Sequence, residues 1–279
     1  SCLVGSEMCI RDSYRTSLMM KPVYDRARTD KQRVVYAEGE EEVVLQAVQN
    51  VVDEGLAHPI LIGRPDVIEA RIERLGLRLK AGEHFEITNI NDDPRFNEYW
   101  QYYHGLTGRR GVTVAAAKNL MRSRPTLIAA VMVARGEADA MLTGIVGRFH
   151  KKLGYVRSVL PLEPKVTSTS AMTGVINQQG VFFFVDTHVQ EDPSAEQICE
   201  ATLQAAYRMK LFGIEPKVAL LSHSNFGSHD SKDALKMRQV RELLLKRNPR
   251  LNVDGEMQGD TAWDEAPVSY THLTLPTTP

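Results

Sequence analysis

The sequence predicts an α/β protein built on a doubly wound, mainly parallel sheet. Over the first ninety residues, short β-rich runs alternate with amphipathic segments in the order β-α-β-α-β, the pattern of a sheet with helices on both faces. Val218 to Leu221 is an unbroken apolar run rather than an alternating one, as expected of a strand buried on both sides. A length of 279 residues, 43% of them hydrophobic, is enough for one large or two ordinary packed domains.

Arg33-Val-Val-Tyr-Ala37 reads as the first strand. The acidic run Glu38-Gly-Glu-Glu-Glu42 follows, and because acids complement the dipole of a helix start, capping is taken as its role. The helix to Glu54 carries Val44, Ala47, Val48, Val51 and Val52 on one face, and Gly55 stops it. His58 to Ile62 is a second strand. A helix from Pro65 with Ile68, Ile72 and Leu75 ends at Gly76, and Phe85 to Asn89 is a third strand. Phe96 to His104 holds Tyr99, Trp100, Tyr102 and Tyr103, an aromatic stripe of the kind that fills cores or subunit contacts. Arg109 and Arg110 precede Thr113, which caps a helix through Met121; Pro125 to Arg135 is another helix. Ala138 to Gly144 reads as strand then small-residue turn, and a helix between Val146 and Pro164 leads out of the first domain.

Further on, Lys165 to Met172 alternates like a half-exposed strand, and Gly180 to Asp186 is an apolar strand ending in a carboxylate. Asp192-Pro193 opens a helix closed by Gly213. Lys217 to Leu221 is a strand, Ser231 caps a helix carrying Leu235, Val240, Leu243 and Leu244, and Val253 lies on a last short strand. The first domain is placed at 14–154 and the second at 155–266. Residues 1–13 and 267–279 resemble translated sequencing-adapter DNA, so the chain is read as a fragment with foreign ends.

Composition excludes several classes. Net charge is −1, which gives no general attraction to nucleic acid or anionic membrane. No apolar run approaches the ~20 residues of a membrane helix, and no secretory signal opens the chain. Three cysteines without a CxxC or Cys/His cluster point to a reducing cytoplasm and no bound metal. Neither a GxGxxG nor a Walker lysine is present. Gly144-Ile-Val-Gly147 beside Arg148, Lys151 and Lys152 matches a GxxG RNA clamp only in its glycines, and the net charge opposes that reading.

The candidate site is the stretch from Ser222 to Asp230, where strand, hydroxyl-rich turn and helix follow one another. Such a turn points backbone N–H groups at an anion, and Ser222, Ser224 and Ser228 add hydroxyls. The carboxyl ends of parallel strands are where open α/β sheets bind ligands, and Asp186, Asp254 and Glu256 fall there too. Arg109 and Arg110 form a guanidinium pair suited to phosphate.

Gly136-Glu-Ala-Asp-Ala-Met-Leu-Thr-Gly144, Leu220-Leu-Ser-His-Ser-Asn-Phe-Gly-Ser228 and Asp254-Gly-Glu256, in that order and spacing, resemble the phosphate acetyltransferase/butyryltransferase family. Within that family, Arg33 to Glu41, Asp186-Thr-His-Val189 and His223-Ser-Asn-Phe226 look most like the C-terminal domain of bacterial NADP-dependent malic enzymes. The resemblance implies two α/β/α lobes of the isocitrate/isopropylmalate-dehydrogenase-like kind with a cleft between them. It also implies a cleft ligand, acetyl-CoA, acetyl-phosphate or phosphate, held by Ser222, His223, Ser224, Gly227, Ser228, Arg109, Arg110, Thr143, Gly144, Asp186, Asp254 and Glu256.

Two departures bear on activity. The family's Thr-Leu-Arg-Pro-like arginine falls on Gly154 here, removing a charge-assisted contact. Its general-base aspartate lies beyond the end of this chain, so no catalytic residue is assigned. The expectation is a regulatory and oligomerisation domain of a cytoplasmic malic enzyme, with NADP and a divalent metal confined to another region and a homo-oligomer formed through this one. The alternative is an active transferase moving acetyl from CoA to phosphate.

Overall fold

A computed structural model describes residues 20–164, 166–177 and 181–263. They divide into two compact units at Glu163/Pro164, after the helix that the sequence reading had split at 154/155.

The N-terminal unit opens with helix α1 (20–29). Strands β1 (Gln32–Tyr36), β2 (Ala57–Ile62), β3 (Glu86–Thr88) and β4 (Ala140–Leu142) form one sheet in the order β3-β2-β1-β4, every neighbouring pair parallel. Because successive strand residues face opposite ways, Val35, Ala37, Ile60 and Ile62 enter one core and Tyr36 and Leu61 the other. Helices α2 (Glu42–Asp53) and α3 (Pro65–Arg74) cover the second core through Val44, Leu45, Val48, Ile68 and Ile72. The other face carries α4 (Phe96–Thr107), α5 (Val114–Ser123), α6 (Pro125–Ala134) and α7 (Phe149–Val159). Helix α6 buries seven successive residues, Thr126 to Met132. A helix apolar all round belongs at the centre of its layer. The aromatic stripe is core: Tyr99 and Tyr103 are buried, and Trp100 and Tyr102 pack against them. Thr113 caps α5 as expected, accepting from the Ala116 N–H at 3.2 Å.

The C-terminal unit contains an antiparallel pair, β5 (Met172–Ile176) with β6 (Val181–Val185), and a parallel pair, β7 (Lys217–Leu221) with β8 (Asn252–Met257). Helices α8 (Ala195–Leu211) and α9 (Lys232–Arg247) pack through Ala195, Cys199, Ala206, Val240 and Leu244 onto Leu220 and Val253. A short helix, α10 (Gly259–Trp263), closes the described chain.

Three expectations need correction. Alternation at Lys165 to Met172 suggested a strand, but the described part, 166–171, is irregular and the strand begins at Met172. Helix α8 starts at a Ser194–Gln197 capping box, not at Asp192-Pro193: the Ser194 hydroxyl accepts from the Gln197 backbone N–H, and the Gln197 side-chain oxygen Oε1 accepts from the Ser194 N–H. The acidic run Glu38 to Glu42 acts at the helix start only in part: Glu42 stands in the first turn of α2, where a negative charge complements the dipole, but Glu41 at the N-cap makes no side-chain capping bond. Glu40 instead takes a bidentate pair from Arg64 at 2.9 and 2.8 Å, which holds its carboxyl below the usual carboxylate range. Glu42 pairs with Arg74.

Candidate functional site

In the N-terminal unit the strand order reverses direction between β1 and β4, and the carboxyl ends of two such strands frame the crevice where open α/β sheets bind. Glu38 lies just past β1, and Thr143 and Gly144 just past β4. The Glu38 side chain is 8% exposed. Its carboxylate accepts from Lys152 Nζ at 2.6 Å, Thr143 Oγ1 at 2.9 Å and the Gly144 N–H at 3.2 Å. Lys152, on α7, also donates to Thr126 Oγ1 at 3.0 Å, and Thr126 and Thr143 are 3.0 Å apart. A buried carboxylate is costly unless a cation and further donors meet it, and here all three donor types do. Thr143 and Gly144, assigned from sequence to a ligand, therefore serve this carboxylate. Arg109 and Arg110 sit exposed on a single 3₁₀ turn, Gly108–Arg110. Among the described residues, no hydrogen bond or ion pair joins either of them to Thr143, Gly144 or Glu38.

The serine loop of the C-terminal unit follows the same plan. Glu256, near the end of β8, is 1% exposed. Its Oε1 accepts from Ser224 Oγ and from the Gly227 N–H, both at 2.9 Å, and its Oε2 from Arg238 Nε at 3.0 Å. Burial opposes ionisation of this carboxyl, but the Gly227 amide, the Arg238 guanidinium and the Ser224 hydroxyl outweigh it and hold the group at about 2. Arg238 is fixed in turn by Asp230 at 2.7 Å and by the His229 carbonyl at 2.8 Å. Phe226 and Gly227 turn through the left-handed region, φ 47° and 88°. That brings the Phe226 N–H to the Glu256 carbonyl at 2.8 Å and the Gly227 N–H to its carboxylate. Gly255 also has no room for a side chain: a Cβ there would lie 2.7 Å from the Leu220 carbonyl oxygen.

The sequence reading expected free N–H groups and hydroxyls in this turn. The structure brings Ser222, Ser224, Gly227, Ser228 and Glu256 together, but around a resident anion. The Ser222 hydroxyl donates to the Ser224 carbonyl at 3.0 Å and accepts from the Ser224 N–H at 2.9 Å. Ser228 Oγ accepts from the Asn225 N–H at 3.0 Å and lies 3.2 Å from Ser224 Oγ. His223 and His229 are exposed, and their rings meet edge to face, 5.5 Å between centroids.

Asp254 is exposed, with Arg241 at 3.6 Å. Asp186 sits past β6 and organises its own turn, accepting N–H groups from Ala171, His188, Val189 and Gln190 at 2.8 to 3.3 Å. Burial opposes its ionisation, and these four amides together lower its pKa.

Sequence reasoning missed Glu38 as a buried centre, Lys152 and Arg238. Lys152 and Arg238 each lie on the helix that follows a hydroxyl-glycine turn, a relation that shows only once the strand ends are paired. Among the described residues there is no cluster of three or more metal-ligating side chains, and no helix is long and apolar enough to cross a membrane.

The family profile described as Phosphate acetyl/butaryl transferase matches residues 18–271. The NADP-dependent malic enzyme of Escherichia coli (strain K12) is 51% identical over 253 residues, 91% of this chain and 33% of that protein. A phosphate acetyltransferase of Nitratidesulfovibrio vulgaris is 29% identical over 263 residues, 94% of this chain and 37% of its own length. The crystal structure of a phosphotransacetylase from Streptococcus pyogenes superposes with a TM-score of 0.82 at 24% identity, covering 93% of this chain and 77% of that one, and so shares the fold. The chain spans about a third of the length of the curated malic enzymes it matches.

Proposed function

The chain belongs to the phosphate acetyl/butyryl transferase family, and from that premise we propose that it is the acyl-CoA- or acyl-phosphate-binding regulatory and oligomerisation domain of a cytoplasmic NADP-dependent malic enzyme. The observation that carries this reading is the step in similarity. Identity is 51% to the matched third of a malic enzyme and 29% to a phosphate acetyltransferase over a stretch of similar length. The decarboxylation of malate to pyruvate, with its NADP and divalent metal, then belongs to the region of the malic enzymes that this chain does not match. Gly154 supports a binding rather than a catalytic role. It lies exposed on α7 with open space around it, and as a glycine it offers no guanidinium to an acyl-phosphate. The second reading, an active transferase carrying acetyl between CoA and phosphate, is favoured by the family match across residues 18–271.

Calorimetry and a CoA-release assay on the 279-residue chain separate the two. The regulatory reading expects acetyl-CoA or acetyl-phosphate to bind, with CoA release in phosphate no faster than from a Ser222→Ala variant. Turnover well above that variant establishes the transferase instead.

A further inference from the structure

We propose that the imidazoles of His223 and His229, rather than the serine hydroxyls beside them, are the groups of the serine loop that receive a phosphoryl group of the ligand. This rests on the reading of the domain as an acyl-phosphate or acyl-CoA binder, and it names where on the loop that ligand is held.

The argument is an accounting of donors. A hydroxyl has one proton to give. Ser222 gives its proton to the Ser224 carbonyl. Ser224 gives its proton to Glu256, and Ser228, 3.2 Å away, directs its own at Ser224 Oγ. Most of the loop's backbone N–H groups are spent in the same way. The N–H of Ser224 goes to Ser222 Oγ, that of Asn225 to Ser228 Oγ, those of Phe226 and Gly227 to Glu256, and that of His229 to Ser224 Oγ at 3.1 Å. A phosphate could take the Ser224 hydroxyl or the Gly227 N–H only by displacing a carboxylate that is 1% exposed and already paired with Arg238, and the other donors only by breaking hydrogen bonds that hold the loop itself. Displacing it leaves a buried charge short of partners, which is expensive.

What the loop turns outward is different. His223 and His229 are both exposed, and neither ring makes a hydrogen bond to another described residue. Their mounts are nonetheless fixed. The His223 carbonyl accepts from Gln258 Nε2 at 2.9 Å, and the His229 carbonyl from Arg238 at 2.8 Å. The rings stand 5.5 Å apart, inclined at 64°, at the carboxyl end of β7, where a parallel strand delivers its ligand groups. Two ring N–H donors at that spacing can reach two oxygens of one phosphoryl group. A nearby carboxylate, Asp230, is engaged by Arg238. A rigid base that carries unbonded donors is the preorganised arrangement that favours binding.

The test measures affinity of the full chain for inorganic phosphate, acetyl-phosphate and acetyl-CoA by calorimetry, with His223→Gln, His229→Gln and the double variant. The three probes distinguish a free or acyl phosphate from the phosphates of CoA. Because neither ring is hydrogen-bonded to another described residue, each variant is expected to keep the wild-type unfolding midpoint. Each single change is expected to weaken the probe that binds by about tenfold or more, the loss of one charge-assisted hydrogen bond. If wild type binds a probe and the double variant binds it equally, the proposal is overturned while the domain remains a ligand binder. If only one histidine matters, the paired site is overturned. If wild type binds none of the three, the binding reading falls and this proposal falls with it.

Discussion

Replacing Glu256 by glutamine removes one charge from a site that is 1% exposed and changes almost no volume. The carboxyl is held at about 2 against an ordinary 4.5, and at 1.36 kcal/mol per decade that difference is on the order of 3 kcal/mol of stability. The sign follows from a pKa that is lower in the folded state. The contribution is complete above pH 4.5 and drains away as pH falls from there towards 2, because the unfolded chain takes up the proton first. Linkage makes the loss between pH 5 and pH 3 about 2 kcal/mol. The assay is urea unfolding followed by circular dichroism at pH 7, 5, 4 and 3, for wild type and Glu256→Gln side by side. Other carboxylates with lowered pKa, among them Asp93, Glu137 and Asp186, titrate in both proteins and cancel in the difference. Wild type is expected to be the more stable at pH 7 and 5, with the gap narrowing by about 2 kcal/mol by pH 3. A gap that stays constant with pH would refute the assignment of Glu256 as a charged keystone, and so would no gap at neutral pH.

Three further outcomes follow from the same geometry. Lys152→Met leaves the buried Glu38 carboxylate without its cation and should cost about 3–5 kcal/mol, while the double change Lys152→Met with Glu38→Gln should be milder; a single variant as stable as the double removes the pairing argument. Asp186→Asn weakens four charge-assisted amide bonds, so hydrogen exchange at Ala171, Val189 and Gln190 should quicken relative to wild type, and unchanged protection there counts against its role. Gly154→Arg fills an open helix position and should raise stability by up to about 1 kcal/mol; a loss of stability would mean the position is not open.

Legibility varied with the physical scale of each feature. The N-terminal sheet could be read from Arg33 to Asn89 because apolar period and helix stops such as Gly55 and Gly76 are local signals. Ser231 and Thr113 as caps were legible for the same reason. The start of α8 was misplaced at Asp192-Pro193 although the Ser194–Gln197 capping box stands in the sequence; the proline outweighed it. Glu38 and Glu256 were both noticed but given other roles, since sequence shows a carboxylate without showing whether it is buried. Arg238 went unnoticed in the sequence, because its partner Glu256 lies 18 residues away on the following strand. The serine loop does follow a strand and precede a helix, as the sequence indicates, yet whether its donors are free depends on a residue 32 positions away.

The two buried carboxylates differ in how much chain must be in place before each is satisfied. Glu256 meets Arg238, Gly227 and Ser224 across separations of 18, 29 and 32 residues, within one strand–helix–strand passage. Glu38 waits for Thr143 and Lys152, 105 and 114 residues further along. Closing the longer span costs more chain entropy, and topologies rich in such distant contacts fold more slowly. On a ribosome, Glu38 emerges first yet stays without its cation until α7 has been made. The C-terminal unit can seal its own carboxylate soon after Glu256 appears. The order of synthesis and the order of locking therefore run differently in the two halves of one chain, and the early half spends longer with an unpaired charge at the end of its first strand.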